Sequence, residues 1–286
     1  MQSPSLSHKD VSFLEGRAYD LRRKLLLLTG KIGGAHIGGS FSMMDILVVL
    51  YHRFLRVDPQ NPRDPERDIF VLSKGHGAVG YCLVLADMGF FPEKDLDQFN
   101  QTGSRFGVHP DRHKIPGVDA STGSLGHGLS LSVGYALAKR HLKRQQRVFC
   151  LISDGELCEG STWEAFLAGA HFKLGNLYVI VDFNKMTQDG SLAETMNMEP
   201  VRKKLESFNW SVREIDGHNI NQIVEILENL PEPKENTPTV ILAHTVKGKG
   251  VPWMENTSVW HYGGLDEEKE KQALADLAHY YGRNGK

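Results

Sequence analysis

The sequence predicts an α/β protein with a mainly parallel sheet flanked by helices, and three observations carry that prediction. Short apolar runs, Ile69-Phe70-Val71-Leu72, Val148-Phe149-Cys150-Leu151-Ile152 and Leu177-Tyr178-Val179-Ile180-Val181, have the continuity of strands buried on both faces. Segments of helical periodicity lie between them. Strand and helix alternate, as in β-α-β units whose strands pair in parallel.

Taken in order, Leu14, Ala18, Leu21, Leu25 and Leu28 form the apolar stripe of a helix that ends at Gly30. A glycine-rich loop over residues 33–39 follows, and Ser42 with Asp45 has capping-box spacing for a helix reaching about Phe54. Three prolines within residues 58–65 predict a surface loop. After the first strand, Ser73-Lys74-Gly75-His76-Gly77 opens a helix that runs to Met88. Residues 102–122 hold turn residues without periodicity, a long loop carrying His109 and His113; such loops are usually functional or disordered. A helix over 125–144 precedes the second strand, which ends at Ser153-Asp154-Gly155. The next helix starts near Ser161, with Glu164 at capping-box spacing and Trp163, Leu167, Ala170 and Leu174 on its buried face. The third strand ends at Asp182-Phe183-Asn184. Strands over 211–215 and 239–243, with helices over 221–229 and 266–281, extend the alternation, and no repeat or long linker marks a boundary.

Composition narrows the function. The 286 residues carry 33 Lys+Arg against 35 Asp+Glu and are 40% hydrophobic, which excludes disordered and collagen-like classes. A net charge of -2 supplies no basic field for nucleic acid or anionic membrane, so neither is expected as a partner. No signal-like start or membrane-length apolar run is present, and a cytoplasmic location is expected. Cys82, Cys150 and Cys158 lack disulfide or zinc spacing. The unusual features are 29 Gly and 13 His, many of them clustered in short loops.

Ligands of an open parallel sheet bind beyond the carboxyl ends of its strands. Asp154 and Asn184 both sit just past such ends, on strands joined by one crossover. Their hard oxygen donors suit Mg²⁺ or Ca²⁺, with phosphate and water completing the shell, and Gly155 at a helix start favours a phosphate beside the ion. Strand-end Asp and Asn also serve as plain turn residues. A competing signal is Gly75-His76-Gly77-Ala78-Val79-Gly80, which satisfies the dinucleotide fingerprint G-x-G-x-x-G and keeps a nicotinamide-dependent dehydrogenase open. That fingerprint also needs a second strand within about 30 residues, where this chain reads as helical. His36, His76, His109, His127 and His261 each lie in or beside a glycine-rich turn, where backbone can approach a ligand and an imidazole can exchange protons near neutral pH.

Asp154-Gly155, Glu159-Gly160, Glu164-Ala165, Leu174, Asn176, Asp182 and Asn184 resemble the thiamine-diphosphate signature. Gly34-Ala35-His36-Ile37-Gly38-Gly39, Val71-Leu72-Ser73-Lys74-Gly75-His76, Gly107-Val108-His109-Pro110 and Thr122-Gly123-Ser124-Leu125-Gly126-His127-Gly128 resemble transketolases, in the same order. The likeness implies the three-layer thiamine-diphosphate-binding fold, with residues 1–286 forming a single diphosphate-binding, N-terminal transketolase domain. It implies Asp154, Asn184 and the Met186 carbonyl as ligands of Mg²⁺, with Ca²⁺ or Mn²⁺ as substitutes. Thiamine diphosphate would be contacted by His36, His76, Gly123, Leu125, Gly155, Glu159, Asn184 and His261, and His36, His76, His109 and His261 would surround the reacting atoms. His36 and His261 are the candidates for proton transfer and His109 for binding the donor hydroxyls. The implied reaction moves a two-carbon ketol unit from a ketose or ketose phosphate to an aldose.

Three features depart from the family pattern: Ser153 replaces a Gly, His127 stands where Gln is common, and Thr187-Gln188 replace a more apolar pair. The likeness covers only the diphosphate-binding domain, so the pyrimidine-binding and C-terminal domains of fused transketolases are expected to be absent from this chain. The resemblance therefore implies a partner subunit that carries them, in an α2β2 heterotetramer active only when complete. The remaining alternatives are the α subunit of a 2-oxo acid dehydrogenase and a non-catalytic scaffold subunit.

Overall fold

Strands β1 (Ile69–Leu72), β2 (Val148–Ser153), β3 (Leu177–Phe183), β4 (Ser211–Asp216) and β5 (Thr239–His244) form one sheet in the order β1-β2-β3-β5-β4. Every adjacent pair is parallel. The structure is a computed structural model and describes residues 8–283. In chain order the helices are α1 (His8–Ile32), α2 (Ile37–Ser42), α3 (Met44–Val49), α4 (Ala78–Asp87), α5 (His127–His141), α6 (Gly160–His171), α7 (Leu192–Thr195), α8 (Val201–Ser207), α9 (Ile220–Glu228) and α10 (Glu267–Tyr280).

The near-continuous apolar strands are explained by a core on each side of the sheet. Phe70, Leu72, Phe149, Leu151, Tyr178 and Ile180 face one core with α1, α3, α4 and α9, while Val71, Val148, Cys150, Ile152, Val179 and Val181 face the other with α5 and α6. Alternate residues of a strand point to opposite faces, so both must be apolar. The result is the expected three-layer α/β architecture.

Because all five strands run the same way, the segments after Leu72, Ser153, Phe183, Asp216 and His244 gather at one edge. That edge holds the site.

Four local expectations are corrected. Residues 33–39 are not all loop, since α2 begins at Ile37. Ser42 does not cap a helix: its hydroxyl donates to Asp182 at 2.6 Å, and the helical run from Met44 is continued by a π turn, Leu50–Phe54. Glu164 forms no capping box, because α6 starts at Gly160 behind Glu159 without a side-chain cap. Leu167 is 53% exposed, and α6 instead buries Thr162, Ala165, Phe166 and Gly169. The small face wins because Gly169 lets the Trp210 ring approach to where a Cβ would lie 2.6 Å away.

Candidate active site

A cavity of about 370 Å³ opens at the carboxyl edge. Its wall includes His36, His76, His109, Gly123, Leu125, Gly155, Asn184, Met186 and His261, so nearly every residue singled out in the sequence converges there. Asp154 is fully buried and lies in the chain between two residues of the wall, Ser153 and Gly155. Glu159 is the exception among the expected contacts; it is exposed at the start of α6, packed beside Gly126 and outside the wall. His127 is exposed on the first residue of α5.

The glycines act through close approach. At Gly75 an added Cβ would lie 2.7 Å from the Gly123 nitrogen, and at Gly123 it would lie 2.8 Å from the His109 ring. Only side-chain-free backbone brings the 73–77 turn, the 109 turn and the 122–126 turn together.

Two buried carboxylates at the ends of β2 and β3 have different surroundings. Asp182 receives the Lys74 ammonium, the Ser42 hydroxyl and the Thr245 hydroxyl. Burial is the largest single influence and would raise its pKa, but Lys74 together with the Ser42 and Thr245 hydroxyls holds the carboxyl below its ordinary value. Asp154 receives main-chain donors, Gly155 N at 2.8 Å and Lys185 N. Burial, with the Asp182 charge next, pushes it up to about 7. Neighbouring Asn184 accepts from Met186 N through Oδ1 at 3.0 Å and lines the cavity.

This donor set suits a divalent cation. Ionised carboxylate and amide oxygens retain further lone pairs after these bonds, and oxygen donors are what Mg²⁺ takes. Among the described residues there is no cluster of three or more His, Cys, Asp or Glu that would form a full protein cage. An ion here would need ligand oxygens to complete its shell.

The imidazoles of His36, His76 and His261 form a triangle with centroids 5.2 to 5.4 Å apart. Burial is the first cause that keeps them neutral. It lowers His36 to about 4, helped by His109, Lys247 and Lys74, and His261 to about 3, helped by Lys247 and His36. His76 is driven well down by burial and then Lys74, and burial also lowers His109.

Sequence reasoning missed Lys247. Its ammonium donates to the Thr187 carbonyl at 2.8 Å and lies 3.0 Å from His261 Nδ1. Burial and then Lys74 lower it to about 8. Lys247 lies three residues beyond β5, so a search of the loop after every strand would have listed it, though not its contacts with Thr187 and His261. Lys74 and its partner Asp182 were also overlooked as a pair, as no local pattern links them. The dinucleotide reading fails on topology, because the next strand after β1 begins only at Val148.

A family described as "Transketolase, thiamine diphosphate binding domain" matches residues 22–282. The chain belongs to that family. It is 40% identical over 266 residues to an apulose-4-phosphate transketolase subunit of Actinobacillus succinogenes, covering 92% of this chain and 95% of that one. It is also 40% identical over 264 residues to the 6-deoxy-6-sulfo-D-fructose transketolase subunit SqwG of a Clostridium species, covering 92% and 96%. Among solved structures, transketolase from Campylobacter jejuni superposes with a TM-score of 0.87 at 29% identity, over 95% of this chain but 43% of that one. The transketolase domain thus spans less than half of the fused enzyme and nearly the whole of the two subunit relatives.

Proposed function

We propose that this chain is the thiamine-diphosphate-binding subunit of a two-chain transketolase, active with a partner subunit that carries the pyrimidine-binding and C-terminal domains. The proposed complex is an α2β2 heterotetramer in the cytoplasm, with Mg²⁺ on Asp154, Asn184 and the Met186 carbonyl. Among the described residues no helix is long and apolar enough to cross a membrane. One observation carries the reading: a single cavity is lined by three neutral imidazoles 5.2 to 5.4 Å apart and by Ser153, Gly155 and Asn184, and the first two flank the buried Asp154 carboxylate, which is bonded to main-chain donors.

Thiamine diphosphate, when bound, supplies the nucleophilic carbon and the electron sink for breaking the C2–C3 bond of a ketose. The chain's residues bind and move protons. Gly155, Gly123, Leu125 and His76 form the wall for the cofactor, and Glu159, outside that wall, is assigned to the contact with the partner. Lys247 donates to His261 Nδ1, which leaves the proton of that neutral ring on Nε2. His261 is therefore assigned as hydrogen-bond donor toward the substrate, His36 as the acceptor of the hydroxyl proton, and His109 as a ligand of donor hydroxyls. The two subunit relatives are named for a ketose phosphate and a sulfo-sugar, and a ketose with such an anionic end is the proposed donor class.

The test is to co-purify this chain with its partner and assay ketol transfer with ketose phosphates and sulfo-sugars. Activity is expected from the pair with thiamine diphosphate and Mg²⁺; substantial transfer by this chain alone would overturn the two-chain reading. His36→Ala and His261→Ala should each lower turnover by about a hundredfold or more while leaving cofactor affinity intact. Full turnover in both variants would remove their assignment.

A further inference from the structure

We propose that His218, outside the cavity, is a positioning residue that couples the buried Arg22–Asp45 pair to the Val246 main chain and so holds Lys247 against the site. His218 lies in the turn after β4. Its Nδ1 is 2.8 Å from Asp45 Oδ2, and its Nε2 accepts the Val246 N–H at 2.8 Å. Asp45 is in turn gripped by the two terminal nitrogens of Arg22, at 2.8 and 2.7 Å, and Arg22, on α1, is fully buried against α3. Its other bonds, to the Phe41 carbonyl at 2.7 Å and the Tyr281 hydroxyl at 2.6 Å, fix it to two more segments.

The chemistry leaves one arrangement of the ring. A peptide N–H only donates and an ionised carboxylate only accepts, so the proton must sit on Nδ1 while Nε2 takes the Val246 hydrogen. His218 thereby turns a buried acceptor on α3 into an acceptor for the loop after β5.

What that loop presents is Lys247, the next residue. Its ammonium ties Thr187 to His261, and the following Gly248 N–H bonds the Gly38 carbonyl at 3.1 Å. The Lys247 stem packs so closely on Gly38 that an added Cβ there would lie 3.0 Å from it. The segments carrying His36, Thr187 and His261 are thus registered against a loop that His218 pins from behind. The catalytic part of this inference rests on the function proposed above, whereas the structural coupling does not.

Two variants test it. His218→Leu removes donor and acceptor, and His218→Gln keeps one of each in its amide. Hydrogen exchange at the Val246 amide is measured in this chain, and turnover per bound thiamine diphosphate in the two-subunit enzyme, which discounts any unfolded fraction. His218→Leu is expected to speed exchange at Val246 at least about tenfold and to lower turnover per bound cofactor about tenfold, the scale of lost outer-contact support at cofactor sites. His218→Gln is expected to recover most of both. Unchanged exchange or turnover in His218→Leu overturns the proposal, as does a His218→Gln variant that protects the amide without restoring turnover. Should His218→Leu not fold, His218→Gln decides: near-normal values of both readouts support the coupling, and loss of either overturns it. Absence of ketol transfer by the wild-type pair would sink the functional reading, while the exchange comparison still decides the coupling.

Discussion

At the amino edge of the sheet, Asp68 is fully buried between Arg56 and Arg147; at the carboxyl edge, Asp154 is just as buried but meets main-chain N–H groups. Burial would raise both. The two guanidiniums reverse that at Asp68 and hold it below its ordinary value, whereas Asp154 rises to about 7. Its neighbour Asp182, paired with Lys74, behaves like Asp68. Asp68 and Asp182 carry their own counter-charges, whereas Asp154 beside the cavity is bonded only to main-chain donors, the difference that the proposed cation site requires.

The sharpest way to break this contrast is Lys74→Met, which strips Asp182 of its buried partner. Orphaning one member of a buried pair should cost about 3–5 kcal/mol in chemical denaturation. A loss under about 1 kcal/mol would show that Lys74 is not the counter-charge Asp182 depends on.

Next in size is Asp154→Asn, expected to weaken Mg²⁺-dependent thiamine diphosphate binding by about a hundredfold in calorimetry. The pH dependence has a definite sign. Between about pH 4 and about 7 the folded chain holds a proton on Asp154 that the unfolded chain has released. Without a cation, this residue's contribution to stability therefore falls as pH rises through that window and is level above it. A cation must displace that proton, so Mg²⁺ affinity should climb about tenfold from pH 6 to pH 8 and then flatten. An affinity independent of pH would contradict the raised Asp154.

The smallest effect belongs to the amino edge. Arg56→Met should cost only about 1 kcal/mol, because its side chain is 56% exposed and Arg147 keeps its own bonds to Asp68. A loss as large as that of Lys74→Met would erase the difference between the two edges.

The sequence revealed most of what is local and strand-bound. Apolar runs placed β1, β2 and β3 to within two residues because both faces of each strand are buried, and strand ends located Asp154 and Asn184 by the same logic. Tertiary bonds between distant segments left no such trace. Ser42 looks like a helix cap, yet its hydroxyl serves Asp182, 140 residues away. Leu167 looks like core, yet α6 packs through Ala165 and Gly169 because small residues permit the closer contact. Lys247 sits in a Lys-Gly-Lys-Gly run that reads as an ordinary turn, and its role emerges only when β5 is inserted beside β3.

The pairing of residue 69 with residue 148 has a consequence for how the molecule comes into being. Everything between those strands is one long excursion, and it carries His76, His109, Gly123 and Leu125. Closing so distant a contact is entropically demanding and slow compared with forming β2, α6 and β3 in succession. A chain in which β1 has yet to dock can already display Asp154 and Asn184, but it has no opposite wall to close over a ligand. Cofactor capture is therefore expected to require a docked β1, and a ligand bound only by the closed site stabilises that docking.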